Sequence, residues 1–234
     1  MKRILYFFLG LIAFLSLLCS IAASCVTNEN LMKQGFLNYS QTAHLNVSPT
    51  RYEDYAKAIC DYLNGKTPLA QIANPETGEA EPAFSDKENM HMADVKGIVS
   101  LLKIVRWAGG GIVIGALLIL YLKSRENMAQ FLADAMGGFA LSALFLLLIA
   151  TVLTIWGAMN FDGLFVTFHK LSFSNDLWIL NPNTDLLVAL MPLSFFIWYA
   201  GEMMKAMLPV LGMMLLVIIG WLKTRKTQKE TETK

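Results

Sequence analysis

The chain has 234 residues, is 55% hydrophobic and only 16% charged, and carries a formal net charge of +1. Soluble domains usually carry about a quarter charged residues. This composition, with several apolar runs near twenty residues, indicates a membrane protein, and the near-neutral balance removes any bulk case for nucleic acid. Cys19, Cys25 and Cys60 are too few and too scattered for a disulfide framework or a zinc site, though spacing leaves a Cys25–Cys60 bridge open.

Lys2 and Arg3 open the chain, and an apolar run at 4–23 follows. An uncleaved first span is favoured over a signal peptide. About twenty residues are enough to cross the hydrocarbon core, whereas signal-peptide apolar regions run to about 7–15. Ala22-Ala23-Ser24-Cys25 loosely matches a lipoprotein processing site. A working site normally has an aliphatic residue, often Leu, where Ala22 stands.

Three further spans are expected at 104–122, 136–159 and 203–222. Lys123 and Arg125 close the second, and Lys223, Arg225 and Lys226 close the fourth. With Lys2 and Arg3 these cations fall on one side, so both termini read as cytoplasmic. The 123–135 loop and the 223–234 tail then lie inside, and 24–103 and 160–202 lie outside. Counting about twenty residues back from Lys123 and Lys223, and forward from Asp134, places the outer edge near Lys103, Met203 and Thr154. The three counts agree. Lys103, Arg106, Glu202 and Lys205 then sit where long side chains snorkel, and Trp107 and Trp156 where an aromatic belt forms. The expected fold is an all-α integral membrane protein with four transmembrane helices and an extracellular cap built from the 1–2 and 3–4 connections.

Within the larger outer segment, Tyr52, Tyr55, Ile59 and Tyr62/Leu63 recur at helical spacing over 51–63, and Asn64-Gly65 ends that helix. Asn-Pro, Thr-Gly and Glu-Pro in quick succession make 74–83 a loop. A second helix starts near Ser85, with Glu88 as its capping-box partner, and continues through His91 toward the second span. Gly97 and Gly109-Gly110-Gly111 are the places for it to bend or to admit a neighbour.

Two stretches carry candidate chemistry. On the second helix Glu88, His91 and Asp94 share a face, so a carboxylate one turn away can fix the imidazole's tautomer. The plainer reading is a capped, solvated helix start. In 161–185, His169 sits among Phe165, Phe168 and Phe173, with Lys170, Asn175, Asp176 and Trp178 close by. A neutral imidazole there can act as a general base or acid, or it is simply an interfacial histidine. The aromatic density from Phe161 to Tyr199 exceeds a belt and suggests an apolar chamber for acyl chains. Asp185 is placed to cap a helix, and His44 reads as surface. No serine nucleophile elbow, phosphate-binding glycine loop or His-Glu-x-x-His motif is present.

Three ordered stretches resemble one family, the bacterial lipoprotein intramolecular transacylases, Lit. They are Phe84-Ser-x-x-Glu88-x-x-His91-Met92-x-Asp94-Val95-Lys96; Phe161-Asp-x-Leu-Phe165-Val-x-Phe-His169-Lys-x-x-Phe173-x-Asn175-Asp176-x-Trp178; and Pro182-x-x-Asp185 through Pro192-x-x-Phe195-Phe196. The resemblance implies four helices with an extracellular cap in the bacterial cell membrane. It implies an intramolecular O-to-N acyl transfer within diacylglyceryl-modified lipoproteins. In that reaction the sn-2 acyl chain moves to the α-amino group of the N-terminal cysteine, giving the lyso-form. It implies two catalytic histidines, matched by His91 and His169, and calls for no cofactor or metal. Glu88, Asp94 or Asp176 are then expected to orient the rings, and Asn175 or Lys170 to steady the oxyanion. Two other readings stand beside it: a metal-dependent membrane enzyme using His91, Asp94 and His169, and a non-catalytic scaffold or lipid-binding partner.

Overall fold

Four long helices carry most of the chain. The computed structural model describes the backbone of residues 2–232 and, within it, the side chains other than those of Lys2, Glu126 and 227–232. The Lys2 charge and the tail beyond Lys226, both used in the expected topology, lie outside the described side chains. In order, the elements are α1 (Lys2–Val26), α2 (Glu29–Tyr39), α3 (Tyr52–Leu63), β1 (Gln71–Ala73), β2 (Ala80–Pro82), α4 (Asp86–Ile104), a π turn (Val105–Gly109), α5 (Gly110–Lys123), α6 (Met128–Met159), α7 (Phe161–Ser172), α8 (Leu186–Leu190) and α9 (Leu193–Glu232).

Among the described residues, α1, the α4–α5 run, α6 and α9 are long and apolar enough to cross a membrane. The helices overrun the apolar stretches read from sequence. Helix α6 begins at Met128 rather than 136, and α9 at Leu193 rather than 203. The physical reason is that backbone hydrogen bonding sets a helix, and Gln130, Glu202 and Lys205 are good helix formers whatever solvent they face. Most of the 123–135 segment expected inside is therefore helical.

The chain divides into two compact units. One comprises Met1–Ile21, Lys103–Ala158 and Ala206–Lys234. Its core gathers Phe14, Ala140, Ala143, Leu146, Val210, Met214 and Ile218. Helices α1 and α6 cross through small residues: a Cβ on Gly138 would lie 2.6 Å from the Tyr6 carbonyl carbon, and one on Gly10 2.3 Å from Ser142 Oγ. Of the glycines expected to admit a neighbour, only Gly109 does. A Cβ there would meet Ser16 Oγ at 2.2 Å, while Gly97, Gly110 and Gly111 face open space. The expected bend appears as the π turn, and the Ser16 hydroxyl lies 3.2 Å from the Val105 carbonyl there. Ile114, Leu148 and Leu216 stay exposed, which water penalises and hydrocarbon does not.

The other unit comprises Ala22–Leu102 and Met159–Lys205. Helix α3 follows its heptad-like pattern, burying Tyr52, Tyr55, Ile59, Tyr62 and Leu63, and ends at Asn64 before Gly65 at φ +79°. Phe36, Phe195 and Leu190 are buried at the centre of its core. The 74–83 loop is corrected in part. Residues 71–73 and 80–82 pair as an antiparallel two-stranded sheet, with Ile72 opposite Glu81. Asn74 makes the turn, accepting from the Glu76 and Thr77 amides through Oδ1, and Gly78 takes φ +74°. An all-α expectation misses this because two three-residue strands leave almost no periodic signal. Cys19, Cys25 and Cys60 are free thiols, so the Cys25–Cys60 bridge is not formed.

Helix α2 lies tight against the start of α9. A Cβ on Gly35 would sit 2.3 Å from Phe195 Cε2 and 2.8 Å from Trp198 Cζ3. Phe195 is fully packed and stacks on Tyr199 at 5.1 Å, so it has nowhere to move. Gly35→Ala should destabilise by about 1–3 kcal/mol. Gly97→Ala, in open helical surface, should be neutral or stabilise by up to about 1 kcal/mol. Thermal melts of the two variants in detergent check this; equal melting temperatures would contradict the packing argument.

Candidate active site

His91 and His169 come from distant parts of the sequence and meet within one unit, with ring centroids 6.1 Å apart. Each is more than nine-tenths buried. Helix α4 delivers His91 about one and a half turns after its start. Ser85 and Glu88 form the expected capping box, with the Ser85 N–H and hydroxyl donating to Glu88 Oε2 at 2.9 and 2.7 Å. Helix α7 delivers His169 near its last turn, and the Asn160 side chain caps its start by accepting from the Gly163 amide at 2.9 Å. His91 lies in the charged first half of α4, which carries Asp86, Lys87, Glu88, Asp94 and Lys96 and lies outside the apolar stretch of the Asp86–Lys123 run.

Aromatic rings enclose the pair. Phe165 packs on His169 at 4.1 Å, Trp178 at 5.0 Å and Phe168 edge-on at 5.5 Å. Phe173 reaches both imidazoles, 5.2 Å from His91 and 5.6 Å from His169. Phe196 extends the wall behind Phe165 at 5.0 Å. The aromatic density expected over 161–199 is thus packed in part directly on the two imidazoles.

The two rings differ in what holds them. His169 Nδ1 lies 2.8 Å from the Phe165 carbonyl oxygen. A carbonyl only accepts, so Nδ1 carries the proton, and the neutral ring keeps its lone pair on Nε2. Burial holds His169 below the ordinary imidazole range, and the Phe165 carbonyl partly opposes this by favouring the protonated ring. His91 Nδ1 is buried without a hydrogen-bond partner. Burial pushes its pKa down to about 4, the neighbouring His169 adds to the shift, and Asp94 opposes it.

The expected supporting residues sort differently from the sequence reading. Glu88 does not orient His91. Its Oε2 is occupied by Ser85, and its Oε1 accepts the Leu187 amide at 2.6 Å. Asp185 stands at the N-cap position of α8 but makes no side-chain cap bond there. Its carboxylate turns back to the Asn181 amide at 2.8 Å and the Thr184 hydroxyl at 3.0 Å. Glu88, from α4, caps α8 in its place. Asp94 Oδ2 accepts from Asn175 Nδ2 at 2.9 Å, tying the stretch after α7 to the helix that carries His91. Lys170, Asn175 and Asp176 are exposed. His44 is exposed as expected, yet its Nε2–H donates to the Pro182 carbonyl at 2.8 Å. Among the described residues, no group of three or more His, Cys, Asp or Glu is gathered closely enough to hold a metal ion, so His91, Asp94 and His169 do not form a ligand set. The Leu187 amide was not legible as a site element, because nothing in a side-chain pattern marks a backbone donor.

Both buried imidazoles bind protons less readily folded than unfolded, where histidine titrates near 6.5. Between the two values the unfolded chain holds more protons. The His91 contribution to stability is therefore fully present above about pH 6.5 and is lost as pH falls toward about 4, and that of His169 is lost in the same direction. The melting temperature should drop across that window, and His91→Gln should make the drop shallower. An unchanged slope in that variant would count against the buried-neutral assignment.

The same architecture is found in solved structures. The membrane-integral lipoprotein intramolecular transacylase Lit from Bacillus cereus aligns over 100% of this chain and 99% of its own, at 23% identity and TM-score 0.63. Two structures of that protein, each with one histidine substituted, align at 22% identity and TM-score 0.60. One covers 99% of this chain and 95% of the other; the second covers 98% and 96%. At these identities the likeness establishes the fold: a mostly helical, multi-pass membrane protein. No curated protein matches the chain. The family model described as lipoprotein intramolecular transacylase Lit matches residues 6–196, well over half of the sequence and both histidine-bearing stretches. With four candidate membrane-spanning helices and this family match, the chain belongs to the lipoprotein intramolecular transacylases, a family of membrane acyl-transfer enzymes.

Proposed function

We propose that the chain moves the sn-2 acyl chain of a diacylglyceryl-modified lipoprotein to the α-amino group of its N-terminal cysteine, with His169 as base and His91 as proton donor. The observation that carries this reading is the pair itself: two buried imidazoles 6.1 Å apart in an aromatic enclosure, held in different ways. His169 Nε2, its tautomer set by the Phe165 carbonyl, takes the proton from the amine as nitrogen attacks the ester carbon. The charged His169 passes that proton to one nitrogen of His91, and His91 gives the proton on its other nitrogen to the glyceryl oxygen as the old carbon–oxygen bond breaks. Both rings end the step neutral. One amide forms and one ester is lost, with no net change in atoms. The substrate brings its own nucleophile, so none is needed from the protein.

Confinement supplies the rest. The amine and the ester belong to one molecule but are free to rotate apart. Holding them in contact is worth up to roughly 7–11 kcal/mol in well-oriented systems. The rings of Phe165, Phe168, Phe173 and Trp178 suit acyl chains and exclude water. The substrate amine must also be neutral to attack, and α-amino groups titrate near pH 7.7–8.0. Two imidazoles already neutral at that pH therefore do not limit the reaction from the acid side.

The cation pattern supports an orientation. Arg3, Lys123, Arg125, Lys223, Arg225 and Lys226 flank the candidate spans on one side, which reads as cytoplasmic. The two connections that carry the histidines then face outward as the extracellular cap, against the leaflet where lipidated lipoproteins are anchored.

His91→Ala and His169→Ala should each abolish the lyso-form product while the protein still inserts in the membrane. The check is mass spectrometry of lipoproteins from cells making each variant. Wild type should shift one acyl chain from glyceryl to the cysteine amine with no gain in mass. Normal product from either variant would overturn the assignment.

A further inference from the structure

We infer that Glu88 is a positioning residue that sets the spacing of the two histidines by capping two helices at once, an inference that rests on His91 and His169 being the acid/base pair. Glu88 is 2% exposed. A carboxylate so deeply buried is costly unless its oxygens are satisfied, and here both are. Oε2 holds the start of α4 through Ser85, and Glu88 itself stands about one turn before His91. Oε1 holds the Leu187 amide at 2.6 Å, an orphan donor in the first turn of α8. Local capping of α8 does not compete, because the Asp185 carboxylate is turned back onto Asn181 and Thr184.

Helix α8 is only five residues long and has little hold of its own. Its far end is pinned by Ser40, whose hydroxyl donates to the Leu190 carbonyl at 2.7 Å, and by the Gln41 amide on Ala189 at 2.8 Å. Its near end depends on Glu88. Directly after α8, Pro192 leads into Phe196, which backs Phe165, the residue whose ring packs on His169 and whose carbonyl sets its tautomer. A single carboxylate thus joins the helix carrying His91 to the wall behind His169. It acts through two backbone amides and the Ser85 hydroxyl, with its oxygens turned to these rather than to an imidazole.

Two conservative variants separate reach from charge. Glu88→Gln keeps the length needed to accept from Leu187 but loses the charge. Glu88→Asp keeps the charge and the link to Ser85 but is one methylene short of Leu187. The measurements are kcat and KM for lyso-form production from a diacylglyceryl lipopeptide, well below each variant's melting temperature, beside His91→Ala and His169→Ala. The expected result is that Glu88→Asp loses about 10-fold or more in kcat with KM little changed. Glu88→Gln should stay within about 3-fold of wild type despite a lower melting temperature. Wild-type kcat in Glu88→Asp, or an equal loss in Glu88→Gln, overturns the inference and leaves the histidine assignment standing. Product from the histidine variants instead overturns that assignment and the inference with it. Should Glu88→Asp not fold, Ser85→Ala decides. It keeps the Ser85 amide on Oε2 and the Leu187 amide on Oε1, so both links survive and it should melt earlier at unchanged kcat, and a kcat loss of about 10-fold there overturns the inference.

Discussion

Burial of two imidazoles side by side is the constraint on which the histidine-bearing unit depends. An apolar enclosure disfavours charge on either ring, and at 6.1 Å a second positive charge would be opposed by the first. The pair is thereby kept neutral at neutral pH, the resting state that the proposed proton transfer requires. The surroundings follow from that need. Aromatic rings exclude water, carboxylates sit on backbone amides rather than on the histidines, and Asp94 is held by Asn175 instead of bonding His91 directly. A carboxylate bonded to His91 would draw that ring toward its protonated form and undo the balance.

The asymmetry between the rings is what separates their proposed roles. His169 has a carbonyl on Nδ1 and a free lone pair on Nε2, while His91 has no partner on Nδ1. One backbone oxygen makes the difference. A carbonyl at helical spacing supports a protonated ring less strongly than a carboxylate would, so it favours transient rather than resting protonation. This suits a reaction in which the proton removed from the substrate is returned to it.

Polar economy is a second theme of the fold. Glu88 completes one helix start and supplies the cap missing from another, Asn74 builds the hairpin turn with one oxygen, and Ser16 lies beside the carbonyl loosened by the π turn. Among the described residues most buried polar side chains are joined to backbone, where an unsatisfied donor would cost about 1–3 kcal/mol. His91 Nδ1 departs from that pattern, and it does so at the centre of the candidate site.

The resemblance offered His91 and His169 as candidates, and the sequence by itself determined the class, the four apolar helices, the capping box at Ser85 and the helix at 51–63. Each rests on a short-range signal: hydropathy over about twenty residues, a three-residue capping interval or a helical repeat. The resemblance of three ordered stretches carried the family, and the match over residues 6–196 bore it out. Tertiary structure alone decided the rest. The meeting of His91 with His169, the transfer of Glu88 from ring partner to trans cap, the diversion of Asp185 and the short hairpin all depend on contacts between distant residues or on backbone groups. A backbone amide is the same at every non-proline position, so no residue pattern announces which one a buried carboxylate will find.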